Sequence, residues 1–458
     1  MSLIFDVASL SEQNRESIAE ELVVDINDGP NKNRFQKKKM PGAGPKYMYP
    51  YRMIGSGQVS LPMAWALKRV QGAARRPRTD FTQTSYEYNA TLRDAQIVVK
   101  KEALTNLNRR GTTIISAYPG FGKTVTSIKL AHKIKMRTLV LVNKIVLIEQ
   151  WISSIESFTN LKKGVGVVKV SPPTKTQRAR PDKMQKWMDK ATTASVLIMN
   201  ALNVKKMPDR FFDDIGCLIV DECHQLMSPC LSEALLYVHP RYVIALSATP
   251  YRSDGLNKLL DLYFSEERIV RKLKKGHTVY EVRTNFKPTS NVTEQGRLDW
   301  NGILNSQSEN EKRNTMIVDA AVSLSKTRTI LILTKRIDQA SWLESEIGKR
   351  VKTSGLYGTK KTFDKNCAVL VGTASKIGVG FDHKSLDCLI LASDVEAYFI
   401  QFLGRVFRSP DVEPIIIDFV DSHPVLRSHF RTRKKVYTEH GGKIVTVKTK
   451  NALAALLT

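Results

Sequence analysis

The stretch Ala117-Tyr118-Pro119-Gly120-Phe121-Gly122-Lys123-Thr124 follows a β-like run at residues 112–116 and opens a helical run that continues to Ala131. A phosphate-binding loop has this strand, loop and helix context. Gly120 and Gly122 allow backbone N–H groups to surround phosphate oxygens, Lys123 supplies a positive charge, and Thr124 offers a hydroxyl to magnesium. The stretch predicts a site for a nucleoside triphosphate, although a glycine-rich turn can also be purely structural.

A second candidate site lies at residues 217–224, Cys-Leu-Ile-Val-Asp-Glu-Cys-His, where an apolar strand ends in two adjacent acids. Open α/β sheets bind ligands at the carboxyl ends of their strands. We expect Asp221 to hold the magnesium that bridges the outer phosphates, and Glu222 to orient and deprotonate the attacking water. The alternative is a strand followed by an ordinary acidic turn.

Two further motifs weigh against that alternative. Ser247-Ala248-Thr249-Pro250 follows an apolar strand at residues 242–246, and residues 401–408 read Gln-Phe-Leu-Gly-Arg-Val-Phe-Arg. With these motifs, the chain resembles the superfamily 2 helicases of the DExH type from about Leu92 to Arg408. In that family the phosphate loop begins with alanine, as it does at Ala117.

A finer resemblance concerns residues 246–255, Leu-Ser-Ala-Thr-Pro-Tyr-Arg-Ser-Asp-Gly. They are similar to the group that holds transcription-factor repair helicases, phage branch-migration helicases and the transcript-release helicases of poxviruses and other large DNA viruses. The last group fits best. Its Val-x-x-Pro segment is matched by residues 59–62, and its Arg/Tyr-rich tail is matched by residues 431–437.

The resemblance implies roles around the nucleotide. Arg405 and Arg408 come from a second lobe and reach the γ-phosphate when two lobes close, while Gln401 couples the nucleotide to the fold. Gln96 contacts the adenine edge, or is simply polar surface. Gly380 and Asp382 match a family segment that links the bound nucleic acid to the nucleotide, with Asp382 available for the ribose. His224, Ser247 and Thr249 are implied to couple the acidic motif to the rest of the protein. Ser247 and Thr249 could equally cap helices through their hydroxyls.

A translocating protein grips its track through the phosphate backbone, because sequence contacts would halt it. Polar residues at the ends of predicted strands are the candidates for such contacts. They are Asn143, Lys144, Asn200, Thr334, Lys335 and Thr373.

Composition favours a polyanionic partner. The chain has 458 residues, 71 Lys and Arg, 44 Asp and Glu, and a formal net charge of +27. Such an excess attracts nucleic acid, although basic solvated surfaces also occur. The five cysteines form no paired framework, so we expect a reducing compartment and no metal besides Mg²⁺. The sequence has no segment apolar enough for a membrane. We therefore expect a soluble, intracellular monomer that, if viral, acts in the host cytoplasm or nucleus or enters the virion.

Apolar runs alternate with helical patterns and predict an α/β protein with two tandem lobes, each a doubly wound parallel sheet. The resemblance to superfamily 2 helicases implies that these lobes are RecA-like. The predicted domains are a basic N-terminal extension (1–85), an ATP-binding lobe (86–282), a second lobe (283–425) and a C-terminal hairpin (426–458). Residues 31–57 read as a loop or arm whose lysine run is a localisation signal, a phosphate grip or solvated surface. Residues 162–190 read as an insertion or long loop.

The predicted function is an ATP-dependent helicase or translocase that uses Mg²⁺ and ATP, with DNA the favoured track. An RNA helicase would have the same ATP-hydrolysing site and would differ only in the nucleic acid on which it moves. A non-catalytic basic nucleic-acid-binding subunit is a third hypothesis. The viral resemblance adds the transcription machinery as a candidate partner.

Overall fold

The computed structural model describes residues 1–25, 47–248, 257–293, 296, 298–378, 383, 385–395, 399–407 and 412–448. The chain forms two compact units. The first consists of Met1–Ala117 and Phe121–Arg271, and the second of Tyr118–Gly120 and Lys272–Thr458. The four domain limits predicted from the sequence stay predictions.

The first unit is rich in short strands. Its strands are β1 (Ser2–Asp6), β2 (Val24–Asp25), β3 (Tyr47–Met48), β4 (Arg52–Ile54), β5 (Gln58–Pro62), β6 (Thr112–Ala117), β7 (Thr138–Val142), β8 (Val167–Lys169), β9 (Val196–Asn200), β10 (Cys217–Val220), β11 (Tyr242–Ser247) and β12 (Arg268–Arg271). Its helices are α1 (Glu12–Glu21), α2 (Met63–Arg69), α3 (Asp94–Arg110), α4 (Lys123–Ile134), α5 (Ile145–Phe158), α6 (Lys175–Ala179), α7 (Pro181–Thr192), α8 (Cys223–Leu226), α9 (Pro229–Ser232) and α10 (Asn257–Phe264).

A seven-stranded sheet forms the centre of the first unit, in the order β12-β6-β11-β10-β7-β9-β8. Neighbouring strands are parallel throughout. Five central strands, from β6 to β9 in this order, are buried along their whole length, which explains why most of their residues are apolar. Because all strands run the same way, the segments after β6, β7, β9, β10 and β11 meet at one edge of the sheet.

The N-terminal extension is more regular than its composition suggests. Strands β1, β5 and β4 form an antiparallel sheet, and β2 pairs with β3. The hydroxyls of Ser2 and Ser60 both donate to the carbonyl of Leu236, which ties the extension to the lobe. The prediction of a loop or arm at residues 31–57 was therefore wrong for its strands β3 and β4, while residues 31–46 lie outside the described part.

The stretch predicted as an insertion or long loop, residues 162–190, is not a long loop, because it contains β8, α6 and most of α7. Thr174 accepts a hydrogen bond from the Gln177 amide N–H, and the side chain of Gln177 accepts from the Thr174 N–H, so this pair starts α6 as a capping box. Pro181 occupies the first turn of α7, where a missing N–H costs nothing. Pro181 is thus a helix-start signal.

The second unit is built around another parallel sheet. Its strands are β13 (His277–Arg283), β14 (Ile330–Thr334), β15 (Thr353–Leu356), β16 (Val369–Thr373), β17 (Cys388–Leu391), β18 (Ile415–Val420) and β19 (Gly442–Val447). Its helices are α11 (Trp300–Glu309), α12 (Glu311–Leu324), α13 (Ile337–Gly348), α14 (Ala374–Ile377), α15 (Phe399–Val406) and α16 (Pro424–Glu439). The strand order is β15-β16-β14-β17-β18-β13-β19, with parallel neighbours. Two tandem RecA-like lobes are confirmed.

The predicted C-terminal hairpin was wrong. Residues 436–438, taken as its first strand, belong to α16, where Arg433 and Tyr437 lie one turn apart and are both buried. Gly441 has a φ of +92°, a conformation that glycine adopts without strain at the end of a helix. Strand β19 then pairs in parallel with β13. Residues 436–438 are therefore helical because one face of α16 is buried, and they do not form a strand that leads into a β-turn.

Among the described residues, no helix has the length and apolar character needed to cross a membrane.

Candidate nucleotide site and nucleic-acid edge

The phosphate loop joins β6 to α4. Gly120 and Gly122 have φ values of +87° and +92°, in the left-handed region that favours glycine. A Cβ on Gly122 would also collide with the side-chain amide of Gln96. The Lys123 ammonium donates to the Ala117 carbonyl at 2.8 Å, and Thr124 lies partly exposed in the first turn of α4. The loop thus has the backbone shape that phosphate binding requires.

Gln96 supports this loop from α3. It is buried, and its Nε2 donates to the Phe121 carbonyl at 2.8 Å. Its Oε1 accepts from the Arg93 amide at 2.8 Å, and the Arg93 guanidinium also donates to the Phe121 carbonyl. The amide therefore contacts the phosphate loop on one side and the start of α3 on the other. Contact with adenine stays a prediction.

The two acids lie at the carboxyl end of β10. Asp221 accepts from the Trp151 indole N–H at 2.8 Å through Oδ2 and from the Glu222 amide at 3.0 Å through Oδ1. Burial of the carboxyl group, with a smaller effect of neighbouring Glu222, raises the pKa of Asp221 to about 6. The Trp151 hydrogen bond and the charge of Lys123 oppose that rise. Asp221 thus remains mainly ionised at neutral pH.

Glu222 adopts an unusual backbone conformation, with a φ of +46°. Its Oε2 lies 3.5 Å from His224 Nδ1. The same nitrogen lies 2.8 Å from the hydroxyl of Ser247, which ends β11. His224 and Ser247 therefore connect the acidic motif to the next strand, as a coupling role requires.

The donor set suits magnesium. Mg²⁺ prefers oxygen ligands, and a site for it in nucleotide enzymes typically combines one or two protein oxygens with phosphates and water. Asp221 and Thr124 present a carboxylate and a hydroxyl. Each Asp221 oxygen accepts one hydrogen bond from the described residues, which leaves a lone pair for the metal. These two residues would hold Mg²⁺, which would neutralise charge on the phosphates.

The track candidates of the first unit meet at the ends of β7 and β9. Val142 and Asn200 are register partners, and Asn200 Nδ2 donates to the Asn143 carbonyl at 3.2 Å. Asn200 is buried, and its Oδ1 accepts from the Leu202 amide, so its side chain caps the following turn. Asn143 Nδ2 donates to Gln225 Oε1. Lys144 is exposed, as a phosphate contact would need.

In the second unit, Thr334 and Thr373 are register partners at the ends of β14 and β16. Both are buried, and the Thr334 hydroxyl donates to the Arg336 carbonyl at 3.1 Å. Lys335 is exposed, and its backbone N–H donates to Ser393 Oγ at 3.1 Å. The structure thus brings these three candidates together and exposes the lysine among them.

Helix α15 carries the remaining described candidates. Gln401 is buried, and its Nε2 makes no hydrogen bond within the part of the chain that the structure describes. Arg405 follows one turn later and is partly buried. Thr249, Gly380, Asp382 and Arg408 lie outside the described residues.

Sequence reasoning missed three residues that shape the site: Arg93, Trp151 and Gln225. Each acts through a hydrogen bond to a residue far away in the sequence. The position of Gln225 directly after the Asp-Glu-Cys-His run was the one signal that could have drawn attention to it.

Comparison with known proteins decides the family. Residues 89–252 match the family model of the Type III restriction enzyme, res subunit. The protein "Putative helicase 161L" of Invertebrate iridescent virus 6 is 40% identical over 393 residues, which cover 81% of this chain and 86% of that protein. The chain belongs to the superfamily 2 helicases.

Two more distant matches are a poxvirus protein and a solved structure. "Transcript termination protein A18" of Fowlpox virus (strain NVSL) is 24% identical over 323 residues, which cover 64% of this chain and 66% of that protein. The solved structure of the ATP-dependent Type ISP restriction-modification enzyme LlaBIII bound to DNA has a TM-score of 0.55 at 13% identity, over 81% of this chain and 32% of that one. That likeness shows a shared fold. As a superfamily 2 helicase, the chain is an ATP-hydrolysing enzyme that acts with nucleic acid.

Proposed function

We propose that this helicase is a translocase on DNA, driven by Mg²⁺-dependent ATP hydrolysis, that separates strands or releases transcripts. The carrying observation is the arrangement at one sheet edge of the first unit. The phosphate loop, the Asp221-Glu222 pair and the Asn143-Lys144 segment follow β6, β10 and β7 of the same parallel sheet. The residues proposed to hydrolyse ATP and those proposed to contact nucleic acid are therefore held by the same parallel sheet.

In this mechanism Lys123 would bind the outer phosphates, and Thr124 and Asp221 would hold the magnesium ion, which would neutralise charge on those phosphates. Glu222 accepts a proton from the attacking water, whose oxygen then forms the new bond to the γ-phosphorus as the bond to ADP breaks. Gln401, Arg405 and Arg408 are proposed to serve the same reaction from the second unit, because guanidinium groups stabilise the charge of the transferring phosphoryl.

The basic balance supports nucleic acid as the track, and the transcript-termination name of the poxvirus relative favours DNA. Release of a transcript requires movement on, or separation of, the nucleic acid within a transcription complex. The transcription machinery is accordingly the proposed protein partner.

The test is ATP turnover with single-stranded DNA, duplex DNA and RNA. Lys123→Ala and Glu222→Gln should abolish stimulated hydrolysis, whereas Lys133→Ala, an exposed lysine near the end of the same helix α4, should hydrolyse ATP like the parent. Full turnover in Lys123→Ala or Glu222→Gln would refute the assigned chemistry. Stimulation by RNA alone would replace the DNA track with an RNA track, and no hydrolysis with any polynucleotide would favour a non-catalytic subunit.

Transcript release has its own assay. A stalled transcription complex with labelled RNA should release that RNA when the protein and ATP are added. Release that also occurs with Glu222→Gln would show that hydrolysis does not drive it.

A further inference from the structure

A hydrogen-bonded chain leads from the proposed track edge to the proposed catalytic acid. Asn143 follows β7, and its side-chain Nδ2 donates to Oε1 of Gln225. Gln225 belongs to α8, and its backbone N–H donates to the carbonyl of Glu222 at 2.8 Å. Two hydrogen bonds therefore separate a candidate phosphate contact from the residue that is proposed to activate water.

Asn143 is also held from the opposite side. Its carbonyl accepts from Asn200 Nδ2 at 3.2 Å, so Asn143 lies between the end of β9 and helix α8. Its side-chain Oδ1 is buried and accepts no hydrogen bond from the described residues. A buried amide oxygen without a hydrogen bond is energetically unfavourable, so the Asn143 side chain would reorient if a ligand bound beside it offered a partner.

The series of hydrogen bonds ends at Glu222, whose backbone is strained. Glu222 has a φ of +46°, which costs energy for a residue with a side chain and persists only where surrounding contacts enforce it. On one side, His224 of α8 lies 2.8 Å from Ser247. On the other side, Gln225 joins α8 to Asn143. A shift of Asn143 would therefore be felt at the Glu222 backbone through a short helix.

We propose that Gln225 is a positioning residue that transmits track occupancy from Asn143 to Glu222, and so makes ATP hydrolysis respond to nucleic acid. This inference rests on the proposed function. A phosphate bound at the Asn143-Lys144 segment fixes the Asn143 side chain. Gln225 carries that change into α8, and the Glu222 carboxylate reaches the position from which it accepts the water proton.

The test replaces Gln225 with methionine, which has a similar length and cannot form the amide–amide hydrogen bond. The measured quantity is the ratio of ATP turnover with saturating DNA to turnover without it, alongside the Kd for the same DNA. We expect Gln225→Met to lower this ratio about tenfold or more, while the Kd stays within about twofold because Gln225 does not touch the track. Gln185→Met on the exposed face of α7 is the matched control and should keep the parent ratio.

Gln225→Glu keeps an oxygen that accepts from Asn143 and should retain most of the stimulation. It also serves if Gln225→Met does not fold, because loss of stimulation in a folded Gln225→Glu protein would overturn the inference. A second check is Asn143→Ala combined with Gln225→Met. If the two residues act through one bond, the double variant should lose no more of the ratio than the more affected single variant, and additive losses would contradict it.

The outcomes separate the two proposals. Parent protein that no polynucleotide stimulates would overturn the proposed function and this inference with it. Stimulated parent protein and an equally stimulated, folded Gln225→Met variant would overturn the inference alone.

Discussion

The indole N–H of Trp151 donates a hydrogen bond to Oδ2 of Asp221 at 2.8 Å, although 70 positions separate the two residues. Helix α5 thereby holds the carboxylate that is proposed to bind magnesium. A donor to an ionised carboxylate stabilises the charged form and lowers the pKa. Trp151 thus counteracts the burial that raises the pKa of Asp221.

Trp151→Phe should weaken magnesium binding, because loss of the donor raises the pKa of Asp221 further and leaves the carboxylate less firmly oriented. The expected effect is an increase of about tenfold in the Mg²⁺ concentration that half-saturates ATP hydrolysis. Trp187→Phe is the control, since that indole donates to the Ser171 carbonyl and not to a carboxylate. An unchanged Mg²⁺ requirement in a folded Trp151→Phe protein would refute the role.

Gln96→Ala should raise the KM for ATP, because the phosphate loop loses its support at the Phe121 carbonyl. Gln177→Ala is a close control: both glutamines accept from the backbone N–H at the start of their helix, and only Gln96 also reaches the phosphate loop. Equal effects of the two substitutions would reduce the Gln96 role to helix capping. The predicted adenine contact is tested by the KM for ATP and the KM for GTP in the same assay. Any preference for ATP over GTP in the parent should be lost in Gln96→Ala.

Arg433→Gln should destabilise the second unit by about 3 to 5 kcal/mol, because it leaves buried carboxylates without their cation. Arg433 donates to both oxygens of Asp418 at 2.8 Å and to Asp394 at 2.7 Å. Arg427→Gln on the exposed side of α16 should change the free energy of unfolding by less than about 1 kcal/mol. Denaturant unfolding measures both, and similar values for the two variants would contradict the prediction.

Acid should destabilise the first unit through His239. Burial lowers the pKa of His239 to about 3, so the folded protein keeps it neutral. The unfolded chain protonates it near pH 6.5, and stability is therefore lost as the pH falls from 6.5 towards 3. His239→Asn should remove up to about 2 kcal/mol of the loss between pH 7.5 and 5. Unfolding free energies at both values measure this, and identical pH dependence of parent and variant would contradict it.

Most central strands of both sheets could be predicted from the sequence, because parallel strands buried on both faces are continuously apolar. The interior strand β13 was not predicted, since it mixes polar and apolar residues. Residues 138–142 and 388–391 show this pattern and are β7 and β17. The edge strands β8, β12 and β15 were not predicted. Arg268 and Arg271 frame β12, and an edge strand can carry such residues because one side of it is unpaired.

The residues of the candidate site also divide into those that the sequence could predict and those that it could not. Asp221 and Glu222 could be proposed because the chemistry requires acids directly after a strand, and Lys123 because it requires a lysine where a glycine-rich loop meets a helix. Trp151 and Gln225 could not, because their importance lies in which distant atoms they touch. A tryptophan in an amphipathic helix is ordinary core in sequence terms, and only the three-dimensional fold directs its N–H to a carboxylate.

The pairing of β13 with both β18 and β19 has a consequence for synthesis of the protein on the ribosome. Among the described strands of the second unit, β13 is synthesised first and must wait for β18 and β19, which are synthesised last, because both of its hydrogen-bonding edges pair with them. The first unit can close its large sheet once β12 has left the exit tunnel. Premature termination shortly before Gly442 would therefore leave a finished nucleotide-binding half joined to a half with an open, aggregation-prone β-edge.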